Sequence, residues 1–528
     1  MTAVTRPGPR SRPAALQIRA AHLLWFTLVA LLAARVVLSA VAISHPGLNY
    51  DETQFVNAAT LRIPGLWIFH SVAGVPLMVY PYTGAVKSWL YDPIFAVFGT
   101  SPTSIRLPVI LLVSAGLVLV YAAVRKLVNR PVAILAFAAL CFDQSLFWLT
   151  RDDVGPSALE LFLKCAALWC AAGFATSGRR RYVWLLLATL ALGVLNKLDF
   201  IWVVNAAAAV SLVVMVSHRH ALRARWRMAA TWLGGLAVIY AAFLAYYVTD
   251  HPERISHFRG AAIGQPWHGF EQGIRQALSG TGFYNYALGP MGPRDVVVVL
   301  VLALFAVGSV ASVIRATRNR AVAALAFVTV LMALQTLLTP EATKAWHYIS
   351  IYPFVVIVAA YGAYAAVGRL AGRWPGPRAA LAGVAALVLA YDGTLMASYS
   401  SAISTKDPAP HIWSPAIYRL SDVLGRMPGK VFTVDWGIMN PLFALHPSRR
   451  FVDLSFSLDG TTRAASAALS QKLRQVPGPK LFVTHPSSSL QFPGVNRNLF
   501  SVLRNHLQLT RTVTGYHRRP VYLVYRYR

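Results

Sequence analysis

Apolar runs of about 20 residues, the length that crosses a bilayer as a helix, recur along most of this chain. They fall at about 22–43, 105–124, 131–149, 156–175, 228–248, 295–314, 321–338, 346–367 and 379–397, with two shorter runs at 182–195 and 200–216. Basic clusters stand at every second junction: Arg125-Lys126 with Arg130, Arg179 to Arg181, Arg219 to Arg227, Arg315 to Arg320, and Arg369 to Arg378. Eleven spans place all of these clusters on one face, as the positive-inside rule requires. The same threading places Asp51, Glu52, Asp152, Asp153, Asp250, Glu253 and Glu341 on the other face. Omitting one span scatters the arginines over both faces. The expectation is a polytopic α-helical membrane protein of about 11 transmembrane helices.

Composition agrees. The 528 residues are 56% hydrophobic and 13% charged, where a soluble domain carries roughly 25% charge. The formal charge of +30 sits in loops between apolar runs, which argues for membrane lipids and against a nucleic-acid partner. Cys141, Cys165 and Cys170 have no metal-ligand spacing and read as small apolar core residues. Residues 1–20 read as a basic cytoplasmic tail ahead of an uncleaved first span, since no small-residue cleavage site follows.

The expected division is a tail at 1–20, a membrane domain at 21–398 with a first outer loop at 44–104, and an extracytoplasmic α/β domain at 399–528. Within that loop, Gly84 to Phe98 reads as an interfacial helix. In the last domain Ser414-Pro415 reads as a helix start, and Lys430 to Trp436, Lys480 to Thr484, Leu509 to Gly515 and Pro520 to Tyr527 as strands. Helices are expected over Arg463–Val476 and Asn496–Leu507.

Ionisable residues at membrane depth are costly, so they mark function by default. Asp51 and Glu52 follow the first span directly. One carboxylate can serve as a general base on an acceptor hydroxyl or amine. On an extended or turn segment neighbouring side chains diverge, so only one of the two points at a given atom. Capping of a helix that starts at Thr53 is the structural alternative. Arg151-Asp152-Asp153 forms a second acidic site on another loop, suited to acid/base work or cation binding, or to capping the next span. Few positive groups lie near the outer span ends, and Arg106, Arg151, Lys197, Lys344 and His347 are the candidates for a phosphate. Snorkelling at a span end is the alternative for Arg106 and Lys344. His251, His257 and His268 lack the convergent spacing of a metal site.

In order along the chain, Asp51-Glu52, Ser104-Ile105-Arg106-Leu107-Pro108, Val120 to Leu127, Gly193-Val194-Leu195-Asn196-Lys197 and Lys344 to Pro353 resemble the GT-C glycosyltransferases. The polyprenyl-phosphate-sugar group, glycosyltransferase family 39-like, with its protein O-mannosyltransferases and aminoarabinose transferases, is the nearest in pattern over about residues 20–370. The resemblance implies a GT-C fold and inverting transfer of a sugar from a polyprenyl-phosphate donor to a lipid, glycan or protein acceptor. It implies work on the extracytoplasmic face of a bacterial inner membrane. Asp51 matches the family's first-loop acid, and Asp152 or Asp153 the second. The implied substrate-binding set is Arg106, Arg151, Lys197, Lys344, His347 and Tyr348, with a divalent cation left open. Arg151-Asp152-Asp153 departs from the usual second motif. Two rivals stand beside this reading: a transporter or flippase of lipid-linked sugars, and a non-catalytic scaffold with an outer binding domain.

Overall fold

A computed structural model describes residues 14–63, 66–217, 226–250, 266–289, 295–314, 317–339, 345–371, 377–405, 413–455 and 471–528. The apolar runs become a helical bundle. Its long members are α1 (Ala14–Ala40), α4 (Pro102–Leu127), α5 (Arg130–Phe142), α6 (Gln144–Arg151), α7 (Ser157–Ser177), α8 (Arg180–Asn196), α9 (Ile201–Ser217) and α10 (Trp226–Asp250). After α11 (Pro266–Ser279) and α12 (Thr281–Leu288) come α13 (Asp295–Val313), α14 (Arg320–Leu337), α15 (Ala345–Tyr348), α16 (Phe354–Ala371) and α17 (Pro377–Thr405).

Among the described residues seven helices are long and apolar enough to cross a membrane, or eight if the bent pair α5 and α6 is one span. That is fewer than the eleven expected from the sequence. The reasons are local. α8 has 17 residues, and the run expected as one span at 346–367 is broken into α15, a short 3-10 turn and α16. Pro353 sits at that break, where it removes a backbone donor and turns its neighbour away from the helix. α5 and α6 meet at 54°, and Asp143 caps the second of them through the Leu146 N–H at 2.9 Å.

Helix packing in the bundle is close. A Cβ placed on Gly308 of α13 would lie 2.2 Å from the Val358 carbonyl oxygen, and one on Gly362 of α16 would lie 2.0 Å from that of Leu304. Two facing glycines therefore let the backbones approach more nearly than any side chain allows.

The first loop is structured. α2 (Tyr50–Thr60) leads to an antiparallel ribbon of β1 (His70–Val72), β2 (Val75–Tyr80) and β3 (Thr83–Gly84), then to α3 (Val86–Phe98). β3 reaches the turn after α8, where Thr83 bridges Lys197. A Cβ on Gly84 would meet the Leu195 carbonyl at 1.4 Å, so only glycine allows this approach.

The chain ends in a five-stranded mixed sheet of order β5-β4-β6-β8-β7. Its strands are β4 (Lys430–Thr433), β5 (Phe451–Asp453), β6 (Lys480–Thr484), β7 (Leu507–Thr514) and β8 (Pro520–Tyr527), with helices α18 (Ala416–Gly425), α19 (Met439–Leu445) and α20 (Pro493–Leu503). β4 runs parallel to β5 and β6, and β8 antiparallel to β6 and β7. Most of the helix expected at 463–476 lies outside the described residues. The sheet domain sits directly on the first loop. The Gly47 N–H donates to the Trp413 carbonyl at 2.6 Å, Tyr418 to Ser44 at 2.9 Å and Thr100 to Ala444 at 2.9 Å.

Candidate active site

The site begins with the helix start at Asn49. Its side chain accepts from the Glu52 N–H at 3.1 Å, and the Glu52 carboxylate accepts from the Asn49 N–H at 3.3 Å. This reciprocal cap starts α2 at Tyr50 and puts both acids in the first turn, where the helix dipole favours negative charge. Successive helical residues lie about 100° apart, so Asp51 and Glu52 face different surroundings.

Glu52 turns inward. It is fully buried and forms a two-point ion pair with the equally buried Arg106 of α4, at 2.6 and 2.9 Å. The remaining Arg106 N–H groups go to the carbonyls of Ile43 and Pro46, both at 2.8 Å, and of Gly47 at 3.3 Å. A guanidinium has five donors, and these are committed. Arg106 and Glu52, expected as ligand and catalytic acid, thus form a frame that ties α2 and the chain before it to α4.

Arg151, expected to bind phosphate, has a similar place. It is fully buried and donates to the carbonyls of Leu38, Ser39, Ala42 and His45 at 2.9–3.3 Å. It holds the end of α1. Asp152 is buried beside it, 3.8 Å from the Arg151 Nε, and accepts from the Tyr399 hydroxyl at 3.2 Å. Burial pushes the Asp152 carboxyl up to about 7, against the pull of Arg106 and Arg151.

Asp153 is buried too, with a left-handed φ of +46° that a non-glycine residue seldom adopts. It pairs with Lys87 of α3 at 2.6 Å and accepts from the Tyr91 hydroxyl. Burial pushes its carboxyl up to about 6, with Lys87 opposing. Lys87 itself is buried, donates to the Gly155 carbonyl at 2.5 Å and lies 4.6 Å from the centre of the Phe55 ring. Sequence reasoning missed Lys87 and Tyr91. Their signal was a lysine and a tyrosine one turn apart in a largely apolar helix.

Asp51 differs from the other three acids in being exposed to solvent. Its carboxyl is nonetheless crowded by protein. Loss of bulk solvation pushes its carboxyl up to about 6, and Lys87 acts in the opposite sense. Tyr50, Tyr80 and Lys87 are the groups whose charge or dipole it feels. A carboxylate tuned near neutrality and open to water is suited to proton abstraction.

Residues 83–246 match the family model for dolichyl-phosphate-mannose-protein mannosyltransferases. In fold, the chain is similar to the archaeal oligosaccharyltransferase AglB from Archaeoglobus fulgidus, solved with an inhibitory peptide and a dolichol-phosphate. That likeness has a TM-score of 0.52 at 11% identity and covers 87% of this chain and 69% of that one. The arabinofuranosyltransferase AftD from Mycobacteria has the same TM-score at 16% identity, over 94% of this chain and 39% of that one. The fold is that of the GT-C membrane proteins. ArnT from Cupriavidus metallidurans in the apo state aligns over 96% of this chain and 98% of its own, at 14% identity and a TM-score of 0.48. No curated protein matches the chain in sequence.

A second charged cluster lies between α7 and the turn after α8. Glu160 pairs with Lys164 at 3.0 Å and with Lys197 at 3.7 Å, and Lys197 with Asp199 at 2.5 Å. Lys164 also donates to the carbonyls of Ile349 and Ser350, both at 3.2 Å. The expected ligand Lys197 is therefore nearly buried but has partners for only two of its three N–H donors. Tyr348 is buried against Phe270, with ring centres 5.7 Å apart, and His347 is half-buried beside Trp346. Lys344, His251 and His257 lie outside the described residues. Among the described residues no group of three or more His, Cys, Asp or Glu side chains is placed to hold a metal. The spans also enclose an apolar cavity of about 630 Å³, lined by α7, α8, α9, α10 and α14 and reaching Phe354 of α16. No residue of the acidic loops lines it.

Proposed function

We propose that this protein is a glycosyltransferase that moves a sugar from a polyprenyl-phosphate donor to an acceptor, with inversion at the anomeric carbon and Asp51 as the base. The observation that carries this reading is the contrast between one exposed carboxylate and three buried ones on the same side of the bundle. In the step, Asp51 takes the acceptor proton as the acceptor atom bonds to the anomeric carbon. The bond to the lipid phosphate breaks, and that phosphate leaves with its electron pair. A cation must meet the departing charge. Arg106 and Arg151 have few or no donors to give. Lys197 is fixed by carboxylates yet keeps donor capacity, which supports it as a phosphate contact, whereas the buried Lys87 is taken up by Asp153, the Gly155 carbonyl and the Phe55 ring. The apolar cavity matches a hydrocarbon chain in its lining, but Leu127, Ala175, Met215, Met228 and Ala321 set it toward the basic ends of the spans, away from the acidic loops.

The reading places the site and the sheet domain on the extracytoplasmic face of a bacterial inner membrane. Asp51→Asn in proteoliposomes, fed a radiolabelled polyprenyl-phosphate sugar, should lose transfer and keep its thermal transition. Turnover at the parent rate would remove Asp51 from the chemistry. Sidedness is separately testable because Cys141, Cys165 and Cys170 are all buried. Arg62→Cys on whole cells should react with a membrane-impermeant maleimide. Reaction only after lysis would reverse the topology.

A further inference from the structure

Four aromatic rings lie at the start of α2 and beside it, and two of them, Tyr50 and Tyr80, feel the charge of Asp51. The Tyr80 and Tyr82 rings stack at 6.0 Å between centres and 7° between planes. The Tyr50 hydroxyl and that of Tyr80 influence each other, and the Tyr50 ring lies 5.1 Å from that of Trp436 at 34°. One end of this row adjoins the phosphate side, since the Leu198 N–H beside Lys197 donates to the Tyr82 carbonyl at 3.0 Å. The other end is in the sheet domain. Tyr50, Tyr80 and Trp436 are half-buried, and Tyr82 is exposed.

Trp436 is held on this row by two anchors. Its N–H donates to Asp435 at 3.0 Å, and the buried Asp435 also accepts from the N–H groups of Gln491 and Phe492 and contacts the His485 Nδ1 at 2.6 Å. Four residues on, Asn440 of α19 accepts from Asn57 at 3.0 Å and from Trp67 at 3.3 Å, and donates to the Tyr50 carbonyl at 3.5 Å. The tryptophan and the acidic helix are therefore one rigid wall rather than a lid against a loop.

A saccharide ring has an apolar C–H face and a polar rim. Flat aromatic surfaces take the first and a carboxylate takes the second. A ligand that reaches Trp436 comes from the aqueous side, where the sheet domain lies, whereas the donor's phosphate and tail belong to Lys197 and the spans. We infer that Tyr50 and Trp436 form a subsite for the ring of a saccharide acceptor, which the sheet domain helps to build and which presents the acceptor hydroxyl to Asp51. The assignment of the acceptor rests on Asp51 being the reacting acid.

The test is saturation-transfer NMR on the full-length protein in nanodiscs, with a manno-oligosaccharide, an arabinofuranosyl oligosaccharide and a serine/threonine-rich peptide as probes. At least one saccharide should bind, with the strongest transfer to its ring C–H protons. Trp436→Leu should weaken it at least fivefold, and Trp436→Phe should restore it to within twofold of the parent. Binding of the peptide in place of both saccharides, binding of none of the probes, or equal affinity in the leucine variant would overturn the subsite. Transfer by the parent protein is assayed in parallel. Saccharide binding without transfer would sink the donor chemistry and leave the subsite standing, and transfer without dependence on Trp436 would do the reverse.

Discussion

The two acidic loops offer a comparison. Each carries two neighbouring carboxylates, Asp51-Glu52 in the first and Asp152-Asp153 in the second. The second loop buries both, each beside its own cation. The first buries Glu52 against Arg106 and leaves Asp51 in contact with water. The difference follows from local geometry. A helix turns Asp51 and Glu52 away from each other, whereas the second loop turns back at Asp153 with a left-handed backbone and folds both acids into the bundle. Depth relative to the membrane does not decide which acid is available for chemistry. The presence of a dedicated buried partner does.

The largest expected effect separates neighbours. Asp51→Asn should lower transfer by roughly 10²–10⁴-fold, the range for a lost general base, with the melting transition unchanged. Glu52→Gln should do the opposite in kind. Removing one partner of a buried pair costs about 3–5 kcal/mol, read as a lower melting temperature in detergent. Equal stability of the two variants would erase the contrast between the acids.

The pH dependence sharpens it further. The Asp51 carboxyl is pushed up to about 6, so it is protonated and idle below that pH and ionised above it. Turnover should therefore climb about tenfold per pH unit below 6 and level off above. Lys87 steadies the Asp51 anion. In Lys87→Met that anion is harder to form, so the rising limb should shift to higher pH. A limb that stays in place would detach Lys87 from Asp51. The smallest effect belongs to Arg62, whose pair with Asp92 at 2.5 Å is about half exposed on both sides. Arg62→Ala should cost less than about 1 kcal/mol in the same melts.

Much of the scaffold was legible in the chain. Lys480–Thr484 and Pro520–Tyr527 are strands with the expected bounds, and the helix expected from Gly84 starts at Val86. These segments announce themselves through alternation, turn residues and apolar period. β5 was not legible, because a three-residue strand carries too little pattern. The start of α2 was legible in principle: Asn49 and Glu52 have the spacing of a reciprocal cap. The fates of Arg106 and Arg151 were not. A basic residue at a span end looks the same whether it awaits a phosphate or is consumed by carbonyls 59 to 63 residues earlier, as for Arg106, or 106 to 113 residues earlier, as for Arg151. The same holds for Lys87, whose nearest carbonyl partner lies 68 residues away.

The contacts of Asn440 have a consequence for how the molecule is made. Glu52 leaves the ribosome 54 residues ahead of Arg106, and Asn57 leaves 383 residues ahead of Asn440. During synthesis the first loop waits in water with its carboxylate unmatched, and its outer wall is translated only near the end. The wall that Asn440 builds against α2 can therefore form only after the spans between them have been made.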